Sequence, residues 1–540
     1  LLKFINRKPG NSKNLIFVIL LTYFLVNLAF LTDFPFVHSD EPWLSGLTRN
    51  MMDKKTLAIT ESFFDLYPRN PHALKLVYHL IQMVFIKLTG YSIYSVRLMS
   101  LIAGVVTLYY FYRLSLMLFK SIKLALITTI LLALDIQFIY ASHFARQEII
   151  LLMLLIGGFY IFQTRRPGSI HSDILLGLII GISIGIHPNS FIITLPFVFN
   201  YLYHLLATKK IKARQFIAFT LTPALFALFF IALSLYFDPH FLYNYPRYGE
   251  KLGVLNSLHA KLSQLPYFYL KIFYQVSGTY YTPDIRFQFI LFGSSLLLTS
   301  LIVIKSALKR IAILNKISNR FTFLNGKNSE QLAGLFLAII AINTGYVLVG
   351  RYNQTSIIFL FPFFYLLTIT LVKEYKRLPR NLFITVILLS TIISSGLNLS
   401  SDTYFNDYQR YLREIARGVE QDAVVLANLN TEYYFENSKL YDYRNLSELE
   451  NYGLTFGEYI ERNGIEYIIY PEEMDFIYNT RPVWNGLYGN LVPYYQEMKD
   501  FFQNNCQLVH EFENEVYGMR IARYIGKKDW KIKIFKVLKY

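Results

Sequence analysis

The sequence predicts a polytopic α-helical membrane protein of about eleven transmembrane helices, with a small extracytoplasmic α/β domain at its C-terminal end. Three observations predict it. Apolar runs of roughly 17–25 residues recur along the first 398 residues. Hydrophobic residues make up 54% of the 540 and charged ones only 16%, with mean hydropathy +0.33, whereas soluble domains carry about 25% charged residues. Beyond residue 398 the composition turns polar, and helix and strand patterns alternate.

The spans fall at 14–32, 96–118, 124–140, 148–163, 174–187, 189–206, 215–237, 287–304, 331–349, 354–372 and 381–398. The first lacks a small-residue cleavage site and reads as an anchor. The third holds Asp135 within the membrane, either a functional acid or one paired with a neighbouring helix. The fifth, "GLIIGISIGI", is short and Gly-rich, and His187-Pro188-Asn189 turns it into the sixth. The stretch 72–90, "HALKLVYHLIQMVFIKLTG", carries His72, Lys75, His79, Gln82 and Lys87 as a polar stripe, which fits an interfacial helix better than a span. Charge supports that choice. With 72–90 outside, the segments 1–13, 119–123, 164–173, 207–214, 305–330 and 373–380 face the cytoplasm and hold 22 Lys and Arg residues. The same pattern accounts for the net charge of +17 without nucleic acid and sets the chain among membrane lipids.

Two domains follow: 1–398 in the membrane, with outer loops 33–95 and 238–286, and the extracytoplasmic segment 399–540. In the latter, "NDYQRYLREIARGVE" and "PYYQEMKDFFQNN" read as helices, and "DAVVLANL", "IEYIIYP" and "VYGMRIARYI" as strands. The tail "KKDWKIKIFKVLKY" reads as a solvated edge strand or a basic membrane-surface contact. The single cysteine, Cys506, excludes an internal disulfide and a thiolate-bound metal.

Polar residues gather at the outer ends of the spans. "SDEPWLSGLTRNM" places Asp40 and Glu41 just past the first span. "SHFARQE" places His143, Arg146 and Glu148 after the third, and "GRYNQ" places Arg351 and Tyr352 before a late one. Acids and arginines at one membrane surface suit a particular reaction. A carboxylate serves as general base on an acceptor hydroxyl, and a cation neutralises a phosphate leaving group. The structural alternatives are ordinary. Asp40 could cap the helix that opens at Pro42, Arg146 could anchor at the interface, and Arg97 could bridge the outer loop to its span.

Residues 31–150 resemble the N-terminal half of a GT-C glycosyltransferase, the superfamily of protein O-mannosyltransferases and the lipid A aminoarabinose transferase. The resemblance rests on "SDEPWLSGLTRNM", "YPRNPHALKLVYHLIQMVFIKLTGYSIYSVRLMSLIAGVV" and "SHFARQEIILLML", and continues in "GRYNQTSIIFLFPFFYLL". It departs at "NPHAL", where His72 replaces a proline, and at His187-Pro188, where the aminoarabinose branch has Lys-Gly. The resemblance implies a polyprenyl-phosphate-linked sugar donor, an inverting transfer on the extracytoplasmic side of the plasma (inner) membrane, and a lipid, glycan or protein acceptor. It implies Asp40 as the base or its close partner, with Glu41 beside it and Glu148 as second acid. Arg146 and Arg351 would face the donor phosphate, with His143, His187 and Tyr352 around the substrate. No obligatory cofactor is implied, although Asp40, Glu41 and Glu148 could hold a divalent cation through oxygen. The rival reading is a transporter or flippase for lipid-linked glycans. Transporters carry ionisable groups at the midplane on broken helices, often in internal repeats. Here the acids gather at outer loops and no repeat is evident.

Overall fold

The computed structural model describes residues 12–66, 69–165, 168–250, 253–276, 280–307, 327–374, 379–400, 407–518 and 530–538. Every one of the eleven apolar runs folds as helix. In chain order the helices of the first domain are α1 (Ser12–Ala29), α2 (Asp40–Lys54), α3 (Leu76–Thr89), α4 (Ile93–Phe119), α5 (Ile122–Ala133), α6 (Ile136–His143) and α7 (Glu148–Thr164). There follow α8 (His171–Ile184), α9 (Ser190–Leu206), α10 (Ala213–Phe237), α11 (Phe241–Arg247), α12 (Leu258–Phe273), α13 (Arg286–Ala307), α14 (Lys327–Val349), α15 (Phe361–Glu374) and α16 (Arg380–Ser400). Among the described residues, five helices are long and apolar enough to cross a membrane, or six with the bent pair α5–α6. The other apolar helices are shorter, at 10–17 residues over stretches such as Asn14–Ala29 of α1 and Arg286–Leu301 of α13.

The bend comes from one residue. Asp135 ends α5 and caps α6, accepting from the Gln137 N–H at 2.8 Å, so the two halves meet at 63°. Its other oxygen takes the Tyr365 hydroxyl at 2.6 Å and the Gln288 amide at 3.2 Å. Neutral donors thus satisfy an acid that the sequence left open as a functional group, and fix a break in the span.

The Gly-rich run also finds its reason in packing. Gly177, Gly181 and Gly185 sit one turn apart and face α10. A Cβ on them would lie 2.7 Å from Thr222, 2.5 Å from Phe226 and 2.3 Å from Phe230. Helix backbones approach this closely only through such small residues. The Gly185 carbonyl then accepts the Val77 N–H at 2.8 Å, which ties the start of α3 to this pair.

The polar stripe of α3 turns inward. His79 Nδ1 lies 2.7 Å from the Thr48 hydroxyl, which also donates to Gln82. Leu80, Val84 and Leu88 are exposed instead. The amphipathic pattern was legible, and His79 and Gln82 on its polar side meet α2 while Lys87 is exposed.

The C-terminal domain holds helices α17 (Tyr408–Ala416), α18 (Phe456–Arg462), α19 (Glu473–Thr480) and α20 (Tyr495–Asn505) and strands β1 (Val425–Ala427), β2 (Leu440–Asp442), β3 (Tyr467–Pro471), β4 (Cys506–Asn514) and β5 (Trp530–Val537). The sheet order is β2-β1-β3-β5-β4, parallel among the first three strands and antiparallel beyond. Both expected helices form. The tail is not an edge strand: β5 lies inside the sheet, and Lys531 and Lys533 pair with Glu511 and Glu472 at 2.8 and 2.9 Å. Of the expected strand "VYGMRIARYI", residues 516–518 form a turn and 519–525 lie outside the described residues.

This domain is seated on the first outer loop. The Phe63 carbonyl accepts from Asn445 Nδ2 at 2.7 Å, and Asp65 accepts from the Tyr459 hydroxyl at 2.8 Å. The Ser45 and Tyr433 hydroxyls lie 2.9 Å apart, and Arg49 donates to the Phe435 carbonyl at 2.8 Å. Val37, Phe63, Ile93 and Val96 share one apolar cluster with Tyr408, Val425 and Ile534. The helix that opens with Asp40 is therefore held between the membrane helices and the C-terminal domain.

Candidate active site

Helix α2 begins at Asp40, and its N-cap, Ser39, makes no side-chain capping bond. Asp40 is thus in the first turn rather than the cap, and its carboxylate is free to turn elsewhere. Its Oδ2 accepts from Arg146 Nη1 at 2.5 Å and from the Tyr280 hydroxyl at 2.6 Å. Tyr280 accepts in turn from Arg146 Nη1 at 2.7 Å and stacks on His38 at 4.3 Å. Burial alone would raise the Asp40 carboxyl. Arg146, His38 and Arg351, with the Tyr280 hydroxyl, outweigh it and hold Asp40 below the usual carboxylate range.

The next residue behaves differently. Glu41 is fully buried and clasps Arg97 through both oxygens at 2.8 Å. It also accepts the backbone N–H groups of His38 and Ala145 at 3.1 and 3.0 Å. Arg97 spends its remaining donors on the carbonyls of Leu31, Phe34 and Pro35. This pair staples the loop after α1 to α4 and to the 144–147 connector.

That connector, between α6 and α7, brings in Arg146. Its Nη2 lies 3.3 Å from Glu148, which also takes the Thr355 hydroxyl at 2.7 Å. Two carboxylates on either side therefore hold one guanidinium in place.

Asp40 and Arg146 open onto a cavity of 310 Å³. Arg69, Lys75 and Arg351 also line it, with His72, His187 and an aromatic wall of Trp43, Tyr245 and Tyr248. Asp40 is its only carboxylate among the described residues. Arg69 leans on Trp43 at 4.3 Å and on Glu61 at 4.0 Å. Lys75 lies 5.1 Å from the Trp43 ring. Neither Lys75 nor Arg351 has a carboxylate partner among the described residues. Burial, with the charges of Arg69, Arg351 and Arg146, brings the Lys75 ammonium down to about 8. His187 Nδ1 accepts the Asn189 N–H at 3.0 Å, which leaves its proton on Nε2 as a neutral donor. The cavity thus presents uncompensated positive charge beside one carboxylate. Among the described residues no group of three or more His, Cys, Asp or Glu side chains is arranged to hold a metal.

Residues 71–237 match the family profile of the dolichyl-phosphate-mannose-protein mannosyltransferases. The structure of ArnT from Cupriavidus metallidurans bound to undecaprenyl phosphate superposes with a TM-score of 0.57 at 10% identity, over 98% of each chain. The oligosaccharyltransferase AglB from Archaeoglobus fulgidus, in complex with an inhibitory peptide and a dolichol-phosphate, superposes with a TM-score of 0.51 at 14% identity. That match covers 88% of this chain and 71% of AglB. The chain has the GT-C fold. No curated protein matches it by sequence.

Within this GT-C fold the eight expected site residues divide. Asp40, Arg146, His187 and Arg351 come together at the cavity, and Glu148 stands behind Arg146. Three lie elsewhere. Glu41 is sealed against Arg97. His143 is buried between the Phe34 carbonyl and Asn27, at 2.8 and 2.9 Å. The Tyr352 hydroxyl donates to the Lys261 carbonyl at 2.5 Å. The Arg97 and Asn27 side chains and nearby backbone groups take up their polar atoms instead. Sequence reasoning missed Arg69, His72 and Lys75 as site residues, although all three stand in the "YPRNPHALK" segment. Tyr280 carried no signal, since "TYYTPD" is one of many Tyr-rich turns in this chain.

Proposed function

We propose that the chain is a membrane glycosyltransferase that moves a sugar from a polyprenyl-phosphate donor to an extracytoplasmic lipid, glycan or protein acceptor, with inversion. The single observation that carries this reading is the cavity, where one carboxylate, Asp40, stands beside two cations, Lys75 and Arg351, that have no carboxylate partner among the described residues. The lipid phosphates bound by the ArnT and AglB structures support the donor class.

The chemistry follows from the charges. The acceptor hydroxyl attacks the anomeric carbon while the bond from that carbon to the phosphate oxygen breaks. The electron pair leaves with the phosphate, and the hydroxyl proton passes to Asp40. The phosphate gains negative charge as it leaves, and Lys75 and Arg351 are placed to neutralise that gain more than the charge of the bound donor. A resting Asp40 held by Arg146 is a weak base. A phosphate in the cavity shares that cation and raises the Asp40 pKa, so donor binding arms the base. Inversion is favoured because no second carboxylate faces the cavity to act as nucleophile among the described residues. The transporter reading finds little support, since the acid on the broken span, Asp135, is closed off by neutral donors.

Asp40→Asn keeps the shape and cannot take a proton. A folded variant should bind donor and release polyprenyl phosphate at least ~10²-fold more slowly. Arg351→Ala should weaken donor binding by roughly tenfold to a hundredfold, the scale of one charge-assisted contact. Near-normal turnover in Asp40→Asn, with none in Glu148→Gln, would move the base to Glu148.

A further inference from the structure

We infer that Tyr280 is a positioning residue that aims the base: by donating to one oxygen of Asp40 it leaves the other to receive the acceptor's proton. This rests on the reading of Asp40 as base. The two carboxylate oxygens are used unequally. Oδ2 takes both Arg146 Nη1 and the Tyr280 hydroxyl, at 2.5 and 2.6 Å. Oδ1 accepts no hydrogen bond among the described residues, and its nearest ionisable neighbour, His38 Nδ1, stands 3.8 Å away. His38 Nδ1 instead accepts the Asp40 backbone N–H at 3.0 Å.

Arg146 alone does not fix this arrangement. A guanidinium presents several N–H groups and can serve either carboxylate oxygen. Here its Nη1 is shared between Asp40 Oδ2 and the Tyr280 oxygen, while Nη2 turns to Glu148. Tyr280 therefore closes a three-membered circuit of carboxylate, guanidinium and phenol. The circuit specifies which oxygen is occupied. The ring is held by stacking on His38 at 4.3 Å with 14° between planes, and by an edge contact with Phe144 at 6.3 Å. Arg146 lies beneath it, 5.4 Å from the centroid. Phe keeps these ring contacts and removes only the hydroxyl. The charged and titratable groups acting on Asp40 are Arg146, His38, Arg351 and Tyr280, and Tyr280→Phe removes the phenol's bond to Asp40 together with the oxygen that accepts from Arg146 Nη1.

Two measurements test the assignment. The first is a double-mutant cycle on Tyr280→Phe and Asp40→Asn, read as release of polyprenyl phosphate from dolichyl-phosphate mannose in mixed micelles. Tyr280→Phe should lower kcat by roughly tenfold, leave the donor KM within about twofold, and add nothing in the Asp40→Asn background. An equal loss in both backgrounds would overturn the positioning role while leaving Asp40 as base. Full turnover by Asp40→Asn would instead overturn the reading of the base. The second measurement needs no substrate. Carbodiimide labels protonated carboxyls, so its rate at Asp40, mapped by mass spectrometry at pH 6 with Glu61 as reference, follows the protonated fraction. Loss of the phenol's hydrogen bond raises that fraction, and labelling should quicken about threefold to tenfold. An unchanged rate would mean that Tyr280 does not act on the carboxylate, and the proposal would fall.

Discussion

A lysine surrounded by arginines and removed from water gives up its proton more readily than one in solvent. Lys75 is in that position, with its ammonium brought down to about 8. If its charge neutralises the departing phosphate, turnover should be full below that value and fall as pH rises through it. Lys75→Arg keeps the charge at every accessible pH, so the alkaline fall should move up or vanish, even if the altered shape lowers the maximum. Rate against pH for the two proteins decides this; superimposable alkaline limbs would remove Lys75 from the mechanism. Glu41 calls for a different measurement. Glu41→Gln leaves Arg97 charged in a fully buried place, and breaking such a pair costs about 3–5 kcal/mol. The variant should lose thermal stability, and the fraction that folds should turn over nearly normally. Adjacent acids in the sequence thus separate into one site residue and one staple. Sequence reasoning placed both just past the first span. It could not see that Glu41 faces Arg97, 56 positions away, while Asp40 faces Arg146.

Short-range pattern explains most of what was legible among the elements. Apolar runs located all eleven helical segments, because each is long enough to carry its own signal. The internal geometry of those segments depends on partners. The break at Asp135 needs Tyr365 and Gln288, and the turning of α3 needs Thr48. Strand β4 was missed because its side chains are mostly exposed and lack a buried alternation. The glycine stripe of α8 shows how an element governs the site at a distance. Gly181 lets α10 approach, and Gly185, which ends the stripe, holds α3 by its carbonyl. Gly181→Leu should force α8 and α10 apart and cost about 1–3 kcal/mol, the usual scale of overpacking. It should also weaken donor binding, because Lys75 stands at the start of α3. Thermal unfolding in detergent reads the first effect and donor titration the second. A stable variant with normal donor affinity would mean that the helix pair does not set the cavity.

At the scale of the whole molecule, the C-terminal domain and the outer loop form one body around α2, through contacts between residues nearly 400 positions apart. Asn445 with Phe63 and Arg49 with Phe435 are examples. Nothing local in the sequence encodes such a pairing. The pairing makes sidedness a single question, since α2, its acid and the tail must share one face of the membrane. The distribution of 22 basic residues over the opposite loops predicts that this face is outside. Helix α10 supplies the reference point. Its far end, at Asp238, accepts from Asn70 of the outer loop at 3.1 Å, so its beginning near Lys212 lies at the other end of the bundle. With Cys506 replaced by Ser, single cysteines at the exposed positions 54, 212 and 452 would report each face. A membrane-impermeant maleimide applied to intact cells should label K54C and Y452C, and should label K212C only after permeabilisation. The reverse pattern would turn the cavity to the cytoplasm, and the donor would then have to be met there, before any transfer across the membrane. Labelling of K54C and Y452C from opposite sides would contradict the contacts that seat the tail on α2.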